Sequence, residues 1–337
     1  MSKTFPFLEV EGNHQKVGEA IGNYFKENIQ KDIHKRRKTI TRYQTYLAQS
    51  KLYYQITQRY FPQYLIELEA IAKAAEVPPL EYFLNNNREV YDQAEKKDRK
   101  DCLTHDHCTI IVSFNKEGAI VGHNEDWDKE ALEDMYILKA KINDKTILCL
   151  NYANTLPGVA AGINNYGLVQ CINDLYQTSQ MGVPKNFIAR AVLDAKDLNE
   201  AEHLINSTPR ASGFNHLLFQ DHECRNIEIA GDKIACEKIT QGCYVHTNHY
   251  LSPFMQNLEK FHSVSSEKRY QRAKELLQPE MDTKQMMAIL SDTHDHQYPI
   301  CRADETVGSV VFVPHKQEGY FCYGHPCAGE YFKYTLS

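Results

Sequence analysis

The sequence predicts an α+β protein, with a helical segment over residues 1–107 followed by a strand-rich region over residues 108–337. Three observations carry this. Apolar residues recur at helical spacing through the first hundred positions. Short apolar runs separated by turn residues dominate from Cys108 onward. A helical insertion near residues 186–205 divides those runs. Helices first, then strands, point to layers of helix and sheet rather than a doubly wound parallel sheet.

The elements follow in order. Val17, Ile21, Phe25, Ile29 and Ile33 recur every four residues and form one amphipathic stripe. Leu65, Leu68, Ala72 and Ala75 form a second, opened by Pro62 at a helix start. Pro78-Pro79 ends it, and a short helix follows through Leu80 to Leu84. Residues 92–106 are charged and polar and read as a linker. Next, Thr109 to Phe114, the turn Asn115-Lys116-Glu117-Gly118 and Ala119 to Gly122 read as a β-hairpin ending in Asn124-Glu125-Asp126. Further strands are expected at 136–142, 146–152, 167–172, 216–219, 226–230 and 243–247. Residues 186–195 and 201–205 read as helices, 309–313 and 319–323 as a late strand pair, and 298–301 as an apolar strand before Arg302.

Composition excludes several classes. A net charge of −6 gives no general attraction to nucleic acid or membranes, and 24% charged residues is ordinary for a globular protein. No apolar run approaches the roughly 20 residues of a membrane span. The N-terminus has no signal-peptide pattern, and the ten cysteines show no C-x-x-C pair. They read as reduced thiols of a cytoplasmic protein. The basic run Lys35-Arg36-Arg37-Lys38 reads as a solvated helix face.

The chemistry centres on Cys108. A cysteine made N-terminal by cleavage carries its own base, because an α-amine with a pKa of about 7.7–8.0 can share a proton with a thiol near 8.5. Folding the hairpin brings the carboxylate of Asp126 toward that thiol. Asn248, in Val245-His246-Thr247-Asn248-His249, ends a strand with an amide able to donate to an oxyanion. Asn173 ends another strand in the same way. Arg302 offers a cation for a carboxylate. His105-Asp106-His107 and His294-Asp295-His296 resemble metal-ligand pairs, but H-x-H spacing arises readily by chance among fifteen histidines.

These pieces occur in the order seen in one family. The chain resembles the acyl-coenzyme A:6-aminopenicillanic acid acyltransferase family of N-terminal nucleophile hydrolases, peptidase family C45, relatives of the choloylglycine hydrolases. The resemblance runs through Val10-Glu11-Gly12 with Val17-Gly18 and Ile21-Gly22, Arg88-Glu89, Cys108-Thr109 and Asn124 to Trp127. It continues through Gly162 to Leu168 with Asn173, His216-Leu217-Leu218, Ile227-Glu228, Val245 to His249 and Ile300-Cys301-Arg302. It implies an αββα four-layer sandwich and self-cleavage between His107 and Cys108. The helical segment 1–107 would become the α chain and the catalytic region 108–337 the β chain. Cys108 would be nucleophile in both reactions, with Asp126 beside its amine. Asn248 would serve the oxyanion hole, Asn173 that hole or the substrate, and Arg302 the substrate. The expected activity is amide hydrolysis or acyl transfer on a small linear amide or acyl donor through a Cys108 thioester. No cofactor, metal, nucleic acid or membrane is called for, and a homo-oligomer is compatible. The alternatives are a non-catalytic binding protein on the same scaffold, which would keep its chain intact, and a metal-dependent hydrolase built on the histidine pairs.

Overall fold

The β-hairpin after Cys108 is the centre of the architecture. In the computed structural model, which describes residues 3–87, 108–175, 180–259 and 263–336, strand β2 (Thr109–Asn115) pairs antiparallel with β3 (Gly118–Asp126). The turn is two residues, Lys116 and Glu117, and Asn115 Oδ1 accepts from the Glu117 backbone. Successive side chains of a strand point to opposite faces. Here both faces are covered: Ile110, Val112 and Val121 enter one core, and Ile111 and Ile120 enter another.

Among the described residues the strands form two sheets. The smaller is β11-β2-β3-β12-β13-β14, adding β11 (Cys243–His246), β12 (Thr306–Val313), β13 (Glu318–Tyr323) and β14 (Tyr331–Thr335). The larger is β1-β4-β5-β6-β7-β8-β9-β10. Its strands are β1 (Phe7–Gly12), β4 (Met135–Ile142), β5 (Lys145–Tyr152), β6 (Ala161–Asn164), β7 (Val169–Asp174), β8 (Phe214–Gln220), β9 (Glu223–Ala230) and β10 (Lys233–Ile239). All neighbours are antiparallel except β1 on β4.

The sheets face each other across a core of Ile110, Val112, Val310, Ile137, Leu148 and Leu217. The far face of the larger sheet packs on α1 (His14–Tyr24), α2 (Lys26–Thr39), α3 (Tyr43–Tyr60), α4 (Pro62–Ala74), α5 (Pro79–Asn86), α6 (Lys185–Val192) and α7 (Leu198–Ser207). After the short α8 (Pro253–Gln256), α9 (Val264–Leu276) and α10 (Thr283–Leu290) cover the far face of the smaller sheet through Ala273, Met286 and Leu290. The result is helix, sheet, sheet, helix, the four-layer sandwich expected. Each fully buried aliphatic or aromatic side chain contributes about 1.5–3 kcal/mol. No described helix is long and apolar enough to cross a membrane.

The expected stripes are buried as read: Val17, Ile21, Phe25, Ile29 and Ile33 all lie in the helical core. The single stripe spans two helices, broken at Phe25. Gly18 and Gly22 explain the small residues between its apolar positions. A Cβ there would stand 2.3 Å from the carbonyl oxygens of Glu67 and Ile71, so only glycine lets α1 lie against α4. The basic run of α2 is partly committed, Arg36 to Asp32 and Arg37 to Glu81.

Two expectations need correction. The first segment is not only helical, because β1 is an edge strand of the larger sheet; with alternate residues exposed and six positions, it left too short a pattern to read. Residues 298–301 are not a strand but an irregular passage after α10, and Ile300 and Cys301 are buried there. The expected linker 92–106 lies outside the described residues.

Candidate active site

Cys108 precedes β2 with φ of +75°, in the left-handed region that side-chain-bearing residues rarely occupy. Such a conformation costs on the order of 1–3 kcal/mol and is held by its surroundings. The hairpin register pairs Thr109 with Asn124, so one step further Cys108 stands across from Glu125. The thiol donates to Glu125 Oε2 at 3.3 Å. His123, two residues back and therefore on the same face, places Nε2 2.8 Å from that oxygen. Tyr152, from β5 of the facing sheet, donates its hydroxyl to Glu125 Oε1 at 2.6 Å. All four side chains are buried.

The pleat sends Asp126 to the other face of β3, toward the helices. There Thr306 Oγ1 donates to Asp126 Oδ1 at 2.6 Å, and Arg302 Nη1 lies 3.8 Å from Oδ2. Burial raises the Asp126 carboxyl above its ordinary pKa, against the pull of Arg302 and Arg269. Burial also pushes the Cys108 thiol well up, and the carboxylates of Glu125 and Asp126 push it further. Both effects favour the protonated thiol over the thiolate.

Arg269 reaches this centre from α9. Its Nη1 donates to Cys108 O at 2.6 Å and Thr109 Oγ1 at 2.8 Å, and its Nη2 to Asn248 Oδ1 at 2.9 Å. One planar guanidinium thus fixes the Cys108 backbone and the Asn248 amide relative to each other. Asn248 follows β11; its backbone N–H donates to Ser266 Oγ at 2.7 Å, and Nδ2 donates to Asp174 O at 3.1 Å. An amide nitrogen carries two hydrogens, so a second remains for another acceptor. Asn173 Nδ2 donates to the carbonyls of His246 and Thr247 at 3.0 and 2.8 Å, holding the chain just before Asn248.

Arg302 lies in the turn before β12 and also pairs with Glu305. Beside Thr306 a cavity of about 560 Å³ opens, lined by Lys129, Ala303, Asp304, Tyr323, His325 and Glu330 among others. Cys108, Asp126, Asn248 and Arg302 thus converge, and Asn173 supports from behind. His107 and the His105 pair lie outside the described residues. His294 and His296 are exposed on a loop. The one group of described residues that could hold a metal is Cys108, His123 and Glu125.

Sequence reading missed Glu125 and His123 as neighbours of the thiol, Tyr152, and Arg269. The two-residue turn carries the signal for Glu125, since it sets the register that puts Cys108 across from it. For Arg269 the signal is fainter: Ser266, Arg269 and Ala273 are buried at spacing three and four on a helix otherwise rich in charge.

Comparison with known proteins adds the following. The family model described as acyl-coenzyme A:6-aminopenicillanic acid acyl-transferase matches residues 113–327. That range holds Asp126, Asn173, Asn248, Arg269 and Arg302 and begins five residues after Cys108. A beta-alanyl-dopamine/carcinine hydrolase of Drosophila melanogaster is 28% identical over 253 residues, 67% of this chain and 65% of that protein. The match thus spans just under two thirds of that relative's length. The 40 kDa form of an acyl-coenzyme A:6-aminopenicillanic-acid-acyltransferase of Emericella nidulans is 28% identical over 276 residues, 77% of this chain and 73% of that protein. Among solved structures, a Caenorhabditis elegans N-acylethanolamine-hydrolyzing acid amidase ortholog superposes with a TM-score of 0.49 at 21% identity, over 62% of this chain and 93% of that one.

Proposed function

Because the chain belongs to the acyl-coenzyme A:6-aminopenicillanic acid acyl-transferase family, we propose that it is an amidohydrolase or acyltransferase whose nucleophile, Cys108, is exposed by self-cleavage after His107. The observation that carries this is the setting of Cys108: a buried thiol on a strained backbone, hydrogen-bonded to Glu125 and tied through Arg269 to Asn248.

In the uncut chain there is no α-amine at residue 108, so the base must be a side chain. Glu125 Oε2 accepts the thiol hydrogen and is the assigned base. Sγ attacks the His107 carbonyl carbon, and the proton held by Glu125 passes to the peptide nitrogen as the C–N bond breaks. A thioester and a free α-amine result, and water hydrolyses the thioester to a His107 carboxyl and the Cys108 thiol. The α chain then ends at His107 and the β chain starts at Cys108.

Cleavage reverses the electrostatics. The carboxylates that kept the thiol protonated become counter-ions for an α-ammonium, and a cation beside a thiol favours the thiolate. Asp126, on the backbone side of Cys108, orients the amine, and Arg302 orients Asp126 beside the cavity. The thiolate attacks a substrate acyl carbon, and Asn248 gives its second amide hydrogen to the developing oxyanion. Asn173 serves the hole by fixing the chain before Asn248. Water or an acceptor amine then resolves the thioester, the Cys108 amine moving the proton. β-Alanyl amines are the first substrates to try given the hydrolase relative.

Intact mass of wild type beside Cys108→Ala is the test, followed by release of dopamine from β-alanyl-dopamine and acyl transfer from an acyl-coenzyme A to 6-aminopenicillanic acid. Wild type splitting after His107, with the variant whole and inert, is expected. An uncut wild type that still turns over amides, or a variant that still splits, overturns the reading.

A further inference from the structure

We propose that Cys108, His123 and Glu125 form an inhibitory site for a soft divalent cation, zinc above all. Their ligand atoms, one from each residue, all lie within 4.8 Å of one another, and all three residues are buried. Thiolate, imidazole and carboxylate are the donor set that zinc prefers, at bond lengths of about 2.3, 2.0 and 2.1 Å. A tetrahedral ion with those lengths separates its ligand atoms by roughly 3.3–3.6 Å. The Sγ–Oε2 distance is 3.3 Å and the Nε2–Oε2 distance 2.8 Å. These two separations lie within roughly half an ångström of what the ion needs, and the third, Sγ to Nε2, is no more than 4.8 Å.

The exchange balances. The thiol proton leaves to solvent. The imidazole hydrogen moves from Nε2 to Nδ1, which has no hydrogen-bond partner among the described residues, so no described bond breaks on that side. Thiolate and carboxylate together neutralise the dication. The cost of putting a thiolate between two carboxylates, which otherwise keeps this sulfur protonated, is removed by the ion's own charge. In a chain cut after His107, which rests on the function proposed above, the Cys108 amine and thiolate form a five-membered chelate and complete a tetrahedron of two nitrogens, sulfur and oxygen. With no acceptor for the Nδ1 hydrogen among the described residues, the site lacks the outer partner that dedicated zinc histidines have, so the ion binds reversibly. A sulfur held by zinc attacks no carbonyl, and both self-cleavage and turnover stop while it is bound.

The test uses cobalt(II) as a coloured stand-in. The purified chain, its processing state read by mass, is titrated with Co²⁺ and then Zn²⁺. One equivalent of Co²⁺ is expected to give a thiolate-to-metal charge-transfer band that Zn²⁺ abolishes, lost in Cys108→Ala and weakened at least tenfold in affinity in Glu125→Gln. No band in wild type, or a band that survives Cys108→Ala, overturns the proposal. Processing is read after the chain has been stripped of metal with a chelator and incubated: a metal-free chain that stays uncut yet gives the band leaves the metal site standing and removes the self-cleavage reading; a cut chain without the band does the reverse.

Discussion

Arg190 and Arg269 are the two bulkiest fully buried side chains among the described residues, and the protein employs them in opposite ways. Arg190, on α6, lies between carboxylates. Its Nε and Nη2 bind Glu67 of α4 at 3.0 and 3.2 Å, and its Nη1 binds Asp194 at 2.8 Å. Tyr64 donates to Asp194 and lies under the guanidinium at 4.9 Å, and His14 Nδ1 meets Glu67 at 2.6 Å. Burial works against the charge on Asp194, yet Arg190 holds its pKa below the usual value. Arg269 instead aligns a backbone carbonyl, a hydroxyl and an amide, and around it the Asp126 carboxyl and the Cys108 thiol stand above their ordinary values. Where a cation overrides burial, the buried charge ties helices together. Where burial prevails, ionisable groups are left poised for proton transfer.

Three changes sharpen or break that contrast. Arg190→Met leaves Glu67 and Asp194 buried without their cation and is expected to cost about 3–5 kcal/mol in urea unfolding. The fraction that folds should retain the specific activity of wild type. Loss of activity in well-folded protein would show that the helical network reaches the site and that the two arginines are not separate in role. Arg269→Lys keeps the charge but cannot bridge Cys108 O to Asn248 Oδ1. Its kcat is expected to fall about 100-fold, about 2.7 kcal/mol of barrier, with KM nearly constant. An unchanged kcat would reduce Arg269 to a structural tie like Arg190.

His216 supplies the smallest effect, as a buried base whose charging burial opposes. Its Nδ1 lies 3.1 Å from Gln170 Oε1, and burial lowers its pKa to about 3. The unfolded chain takes that proton below about pH 6.5 while the folded chain does not. Protons therefore favour unfolding, and stability falls as pH drops from 6.5 toward 3. The loss is about 1.4 kcal/mol per pH unit, or about 2 kcal/mol by pH 5. His216→Asn keeps a donor toward Gln170 and should flatten this slope in thermal melts across that range; an unaltered slope would assign the acid sensitivity elsewhere.

Much of the fold was legible because its signals are local. The stripes through Val17 to Ile33 and Leu65 to Ala75 need only helical spacing, and the hairpin after Cys108 needs only alternation and a turn. The edge strands β1, β10 and β14 were not read, because half-exposed edges mix polar and apolar residues without a clear period. Helix α9 was not read either, since Val264 to Leu276 is dense in charge, and nothing local says that Arg269 turns inward while Lys268 and Arg272 do not.

The sequence by itself determined the local grammar: which stretches become helix or strand, and which cysteine stands at a strand start before a carboxylate-rich hairpin end. Spacing along a chain sets which residues share a face, and sharing a face is a nearest-neighbour property. The tertiary structure decided what surrounds Cys108. It chose Glu125 rather than Asp126 for the thiol through the pleat, brought Tyr152 from the facing sheet, and carried Arg269 across 161 residues to the Cys108 carbonyl. Those contacts come from layers closing on one another to bury apolar faces, and burial in turn moves the proton affinities that chemistry at this site requires.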